Sequence, residues 1–127
     1  MELPQLLTTL LDANTFVVLA TTNADGSPQS SVIWAKRDGD VVVFSTIRGR
    51  RKTRNMERDP RVSLCVYDPA DPYRYVEVRG TVSMTEVGGP ELIDELSRRY
   101  DGTAFTEGNP ANVRVVVRIN ATRVIDR

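Results

Sequence analysis

The apolar positions change period several times along the chain, and each change marks an element. Leu3, Leu6, Leu7, Leu10 and Leu11 recur at helical spacing, which predicts a short amphipathic helix ending near Asn14. Phe16 to Thr21 is rich in β-formers and runs into the turn chemistry of Asn23-Ala24-Asp25-Gly26-Ser27-Pro28. Gln29 to Lys36 reads as one strand, with Gln29, Ser31, Ile33 and Ala35 on one face and Ser30, Val32, Trp34 and Lys36 on the other. Asp38-Gly39 marks a hairpin into Val41–Phe44, which continues into Ser45 and Thr46. Arg50 to Arg58 predicts a helix stopped by Asp59-Pro60.

Further strands are expected at Arg61–Tyr67 and, after a loop at Asp68–Pro72, at Tyr73–Thr85. Within the longer one, Val76, Val78, Val82 and Met84 alternate with polar positions, and Gly80 marks a bulge or bend. Gly88-Gly89-Pro90 opens a helix whose apolar face is Leu92, Ile93, Leu96 and Tyr100. After the polar loop Asp101–Pro110, Val113, Val115, Val117 and Ile119 define a sixth strand that Thr122–Ile125 extends or leaves to pair elsewhere. Six short strands with few helices predict a mostly β (α+β) fold, an antiparallel barrel whose closure removes exposed Val-rich edges.

Composition narrows the chemistry. The length of 127 residues fits one domain, 1–127. Lys plus Arg equals Asp plus Glu at 17 each, so no global field favours nucleic acid or a membrane, and any basic site is local. Histidine is absent and Cys65 is the only cysteine, which argues against a metal site or a Ser-His or Cys-His triad. Chemistry here is expected from a bound cofactor. A lone cysteine and the absence of a leader-like or membrane-spanning apolar run make a cytoplasmic setting the expectation.

The most informative segment is Ser45-Thr46-Ile47-Arg48-Gly49-Arg50-Arg51-Lys52-Thr53-Arg54-Asn55. Arg50, Arg51 and Lys52 fall in the first turn of a helix, the wrong charge for the positive end of its dipole. A bound anion would compensate, drawing on free N–H groups, guanidinium forks, the Lys52 ammonium and the hydroxyls of Ser45, Thr46 and Thr53. A solvated basic face is the competing reading. Gln29, Ser30 and Ser31 admit two readings as well, hydrogen bonds to a heterocycle walled by Trp34 or an exposed strand end. Tyr73 and Tyr75 suit a ring contact, a dimer interface or ordinary packing. Cys65 sits in an alternating strand and reads as an inert thiol.

Four segments in this order resemble the split β-barrel flavin-binding family related to pyridoxamine 5′-phosphate oxidase. They are Leu19–Gln29, Val43–Val62, Pro72–Gly80 and Val113–Ile119, and the similarity they carry spans most of the chain, from about Phe16 to Ile125. The nearer likeness is to the F420-dependent oxidoreductases of that family. The resemblance implies a homodimer of split barrels with cofactor sites along its interface. A nucleic-acid-binding barrel using Arg48–Arg58 is a rival reading, against which stand the zero net charge and the scarcity of aromatics near that segment. The resemblance also implies that Arg50 and Lys52, with Arg51, Thr53 and Asn55, hold the cofactor phosphate. The ring would lie against Gln29, Ser30, Ser31, Ser45, Thr46 and Ile47, with Tyr73 and Tyr75 approaching from the partner. The implied activity is hydride transfer from reduced F420 to a small organic acceptor. The alternatives are an FMN-binding oxidase or flavin reductase and a non-catalytic carrier. Many relatives carry His where this chain has Gln29, and the C-terminal basic segment of the oxidase proper is absent, which sets substrate-phosphate oxidation aside.

Overall fold

The computed structural model describes residues 1–126. Its elements run α1 (Gln5–Asp12), β1 (Val17–Thr22), β2 (Pro28–Ile33), β3 (Ala35–Asp38), β4 (Val41–Ile47), α2 (Arg51–Arg58), β5 (Arg61–Asp68), β6 (Asp71–Thr85), α3 (Gly89–Tyr100) and β7 (Arg114–Asp126). The seven strands form one antiparallel sheet in the order β2-β1-β5-β6-β7-β4-β3. The two edge strands are consecutive in sequence and joined through Trp34 alone. The sheet therefore curls into the expected split barrel.

The strand count of seven corrects the expected six. Gln29–Lys36 is not one strand, because its first half pairs with β1 and its second with β4, at opposite ends of the sheet. Alternation keeps its phase across the break: Ile33 and Ala35 are both buried, whereas Val32 is exposed. Periodicity therefore carries no mark of the change of partner. The loop expected at Asp68–Pro72 is also shorter. Asp68 pairs with Asp71 across a tight turn, and the register then jumps to Tyr67↔Tyr75, which leaves Pro72–Arg74 outside the ladder. A proline has no N–H to give a ladder, so this is where it fits. Val113 falls just before β7 and is exposed, and Thr122–Ile125 continues β7 opposite β6.

The interior is built from the inward positions of the strands, among them Leu19, Phe44, Leu64, Val76, Val78, Val117 and Ile119. Helix α1 lays Leu7, Leu10 and Leu11 onto it, and α2 adds Met56. The α3 helix packs on the other face of β4 and β7, where Leu92 and Leu96 cover Val43 and Val116. Gly80 sits at a register shift between β6 and β7, where Ala121 and Arg123 flank one unpaired residue. A β-carbon there would run into the Asn120 carbonyl, so the bend needs a residue without a side chain.

Candidate functional site

Helix α2 is fixed by its polar residues. Gly49 supplies the left-handed turn out of β4, at φ 93°. Its α-carbon faces open space, so backbone conformation and not a close approach requires glycine. Thr53 Oγ1 donates to the Ile47 carbonyl at 2.7 Å and lies 2.9 Å from Thr46 Oγ1. Thr53 has one proton, so Thr46 donates the second bond. Asn55, 3% exposed, has its Nδ2 within 3.0 Å of Thr21 Oγ1 and Asn23 Oδ1 and 3.3 Å of Gln29 Oε1. Its Oδ1 accepts from Arg58 Nη2 at 3.0 Å, and the same nitrogen donates to the Thr22 carbonyl at 2.6 Å. The hydroxyls of Thr46 and Thr53 and the Asn55 amide thus stitch α2 to the sheet.

The cations divide sharply. Arg37, Arg48, Arg61, Arg74, Arg79, Arg98, Arg99, Arg114, Arg118 and Lys36 each pair with a carboxylate. Arg48, inside the basic run, is spent on Glu57 and Glu86. Among the described residues, Arg50, Arg51, Lys52, Arg54 and Arg58 have no such partner, and outside α2 and its cap only Arg123 shares that state. A chain of zero net charge therefore concentrates its uncompensated positive charge on one helix.

Two concavities flank that helix. A groove of about 430 Å³ runs between Arg51, Arg54 and Arg58 and the β1–β2 turn at Asn23–Ser27. On another side, a cleft of about 150 Å³ is lined by Val32, Ile33 and Trp34, by Ser45 of β4, by Lys52, and by Ile93 and Leu96 of α3. Ser45 Oγ is buried there without a hydrogen-bond partner. Burial pulls the Lys52 ammonium below its ordinary value, and Arg50 adds to the shift. The cleft thus joins a residue with an orphaned buried hydroxyl to one whose half-buried ammonium has no carboxylate partner among the described residues.

The sequence-derived residues separate accordingly. The structure brings Ser45 and Lys52 together, with Arg50 and Arg51 on the adjoining turn. Ile47 is buried, and its carbonyl serves Thr53 and the Arg50 N–H. Gln29 and Ser31 face inward beside Thr21 and Leu19, whereas Ser30 is exposed on the outer face. Gln29 Oε1 is engaged by Thr21 and Asn55. Tyr73 and Tyr75 lie at the opposite end of the β5–β6 ladder from α2, about 20 Å of strand away at the usual rise per residue. Within one chain they do not meet Lys52. Sequence reasoning missed Ile93 and Leu96 as cleft walls, since a helical apolar stripe reads first as core, and it left Arg54 and Arg58 out of the site. The spacing of Arg51, Arg54 and Arg58 at three and four residues was the available signal.

The family model for pyridoxamine 5′-phosphate oxidase matches residues 3–127. The chain belongs to that family. Family membership makes the fold a split barrel of the FMN/F420-binding kind and the protein an oxidoreductase relative. A solved structure described as an F420 reductase is similar at 35% identity and a TM-score of 0.85, covering 97% of this chain and 98% of that one. A conserved hypothetical protein from Mycobacterium tuberculosis is similar at 26% identity and a TM-score of 0.77, with 99% and 84% covered. The pyridoxine/pyridoxamine 5′-phosphate oxidase of Rubrobacter xylanophilus is 40% identical over 70 residues, or 54% of this chain. The match spans only 32% of that curated relative's length.

Proposed function

We propose that this family member is an F420-dependent oxidoreductase acting as a homodimer, one cofactor-binding domain over residues 1–127, with the cofactor phosphate held at Lys52 and the start of α2. The carrying observation is the shared cleft of Ser45 and Lys52, a buried hydroxyl and a cation with no partner among the described residues. The residues fit a phosphate. Lys52 supplies a point charge and Ser45 an O–H donor, and Arg50, whose charge acts on Lys52, adds a guanidinium fork, whereas Arg51 lines the other groove. Likeness to an F420 reductase along nearly the whole chain supports the choice of cofactor. When bound, reduced F420 supplies a hydride for an electron-poor bond in a small organic acceptor.

A cavity of about 150 Å³ takes a benzene-sized group, so the cleft suits a phosphate and not a tricyclic ring. The ring then lies along the neighbouring strand surface of Ser30 and Val32. Val32, at 65% exposure, gives it an apolar floor. Exposed Phe16, Val32, Tyr67 and Tyr73 give the outer face the apolar content of an interface, from which a partner's Tyr73 and Tyr75 would cover the ring. No helix among the described residues is long and apolar enough to cross a membrane.

FMN is the second reading, favoured by the matched family and by the Rubrobacter relative. Titrating F420 and FMN separately against the fluorescence of Trp34, the sole tryptophan, decides between them. Quenching at micromolar F420 with a colourless purified protein supports the proposal. A yellow protein that releases FMN supports the second reading, and silence with both removes the redox role.

A further inference from the structure

The break between β2 and β3 is held by a side chain. Ala35, the first residue after Trp34, receives contacts at both of its backbone polar groups from one hydroxyl. Its N–H donates to Tyr100 Oη at 3.2 Å, and its carbonyl lies 2.7 Å from the same oxygen. The Thr15 carbonyl is a second acceptor for that proton, at 3.0 Å. Tyr100 thus occupies the place that a neighbouring strand would fill where the chain changes partner. Its ring also stacks on Trp34, with centroids 5.6 Å apart and planes 12° from parallel, and leans on Phe16 at the same centroid distance. The end of α3 that carries Tyr100 is itself tied down. Arg99 Nε donates to Asn14 Oδ1 at 2.8 Å, and Asn14 Nδ2 donates back to the Arg99 carbonyl at 3.0 Å. Trp34 in turn lines the cleft that holds Ser45 and Lys52.

We infer that Tyr100 is a positioning residue for the cofactor cleft, acting through Trp34 by fixing the indole wall opposite Lys52. The inference rests on the cofactor reading for its consequence, but not for its geometry. Removing the hydroxyl frees both Ala35 groups and lets the break, and the indole beside it, move. Removing the ring takes away the stack as well. The effect should therefore be graded from Tyr100→Phe to Tyr100→Leu.

The test reads two signals well below the melting temperature. Acrylamide quenching and near-UV dichroism of Trp34 are recorded on cofactor-free protein, and F420 affinity is then measured by titration. In Tyr100→Phe, Trp34 is expected to become more accessible and F420 binding to weaken about tenfold, the equivalent of one unaccommodated buried polar group. Tyr100→Leu should do more of both. Ser97→Ala is the control. It removes a 2.8 Å bond from Ser97 Oγ, on the same helix as Tyr100, to the Thr103 carbonyl in the loop that follows, without touching Trp34. It should lower stability while leaving both signals unchanged. Unaltered Trp34 signals in Tyr100→Phe and Tyr100→Leu, or an equal loss of F420 affinity in Ser97→Ala, would overturn the positioning role. Failure of the wild type to bind F420 removes the cofactor reading alone, because the Trp34 signals are read without ligand.

Discussion

At the scale of single residues, Ser45 and Lys52 make opposite demands on the empty and loaded protein. A buried hydroxyl without a partner costs about 1–3 kcal/mol. Ser45→Ala should therefore leave thermal stability unchanged or raised, yet weaken F420 binding. A calorimetric melt and a titration on the same variant check both signs. Lys52→Ala should keep the fold and cost about 1.5–3 kcal/mol of cofactor affinity through the lost charged contact. A dissociation constant equal to wild type would move the phosphate elsewhere. Lys52 was legible from the sequence because a cation in a helix's first turn breaks a local rule. Thr46, Thr53 and Asn55 share its neighbourhood in sequence, but only three-dimensional placement shows their polar atoms spent on Ile47, Thr21, Asn23 and Gln29.

Among elements, α2 depends on Asn55 and the β6–β7 pair on Gly80. Asn55→Ala strips the only amide joining the helix to both β1 and β2 and leaves buried acceptors unmet, so it should cost about 1–3 kcal/mol in denaturant melts. Gly80→Ala forces a methyl against the Asn120 backbone. The same measurement should show a loss of about 1–3 kcal/mol, typical of overpacking where the neighbour cannot rotate away. The Gly80 bulge could be anticipated because glycine inside an alternating strand has few other uses. The division of Gln29–Lys36 could not, since side-chain phase continues through Trp34 and only the identity of the hydrogen-bonding neighbour changes.

For the whole molecule, charge arrangement sets both acid response and ligand field. Glu107 is held down to about 2 by the Arg114 guanidinium and Asn112, and Asp59 to about 2 by Arg61. Folded carboxylates with depressed values stabilise the protein fully above their unfolded values, ordinarily 4.5 for Glu and 3.8 for Asp. That contribution is lost as pH falls toward 2. Melting temperature should decline through this window, and Glu107→Gln should flatten the decline. The overall barrel was readable from alternating strands. The concentration of unpaired charge on α2 was not, because which cation finds a carboxylate is settled by folding.

The order of the sheet also bears on how the chain acquires its shape during synthesis. β7 is made after every other strand, yet it lies between β6 and β4. Until it has left the ribosome, the β3–β4 hairpin has only one native ladder partner, itself, and the cleft at the end of β4 has no backing. The nascent protein must wait, with Val-rich edges unprotected, for a single late insertion to complete it.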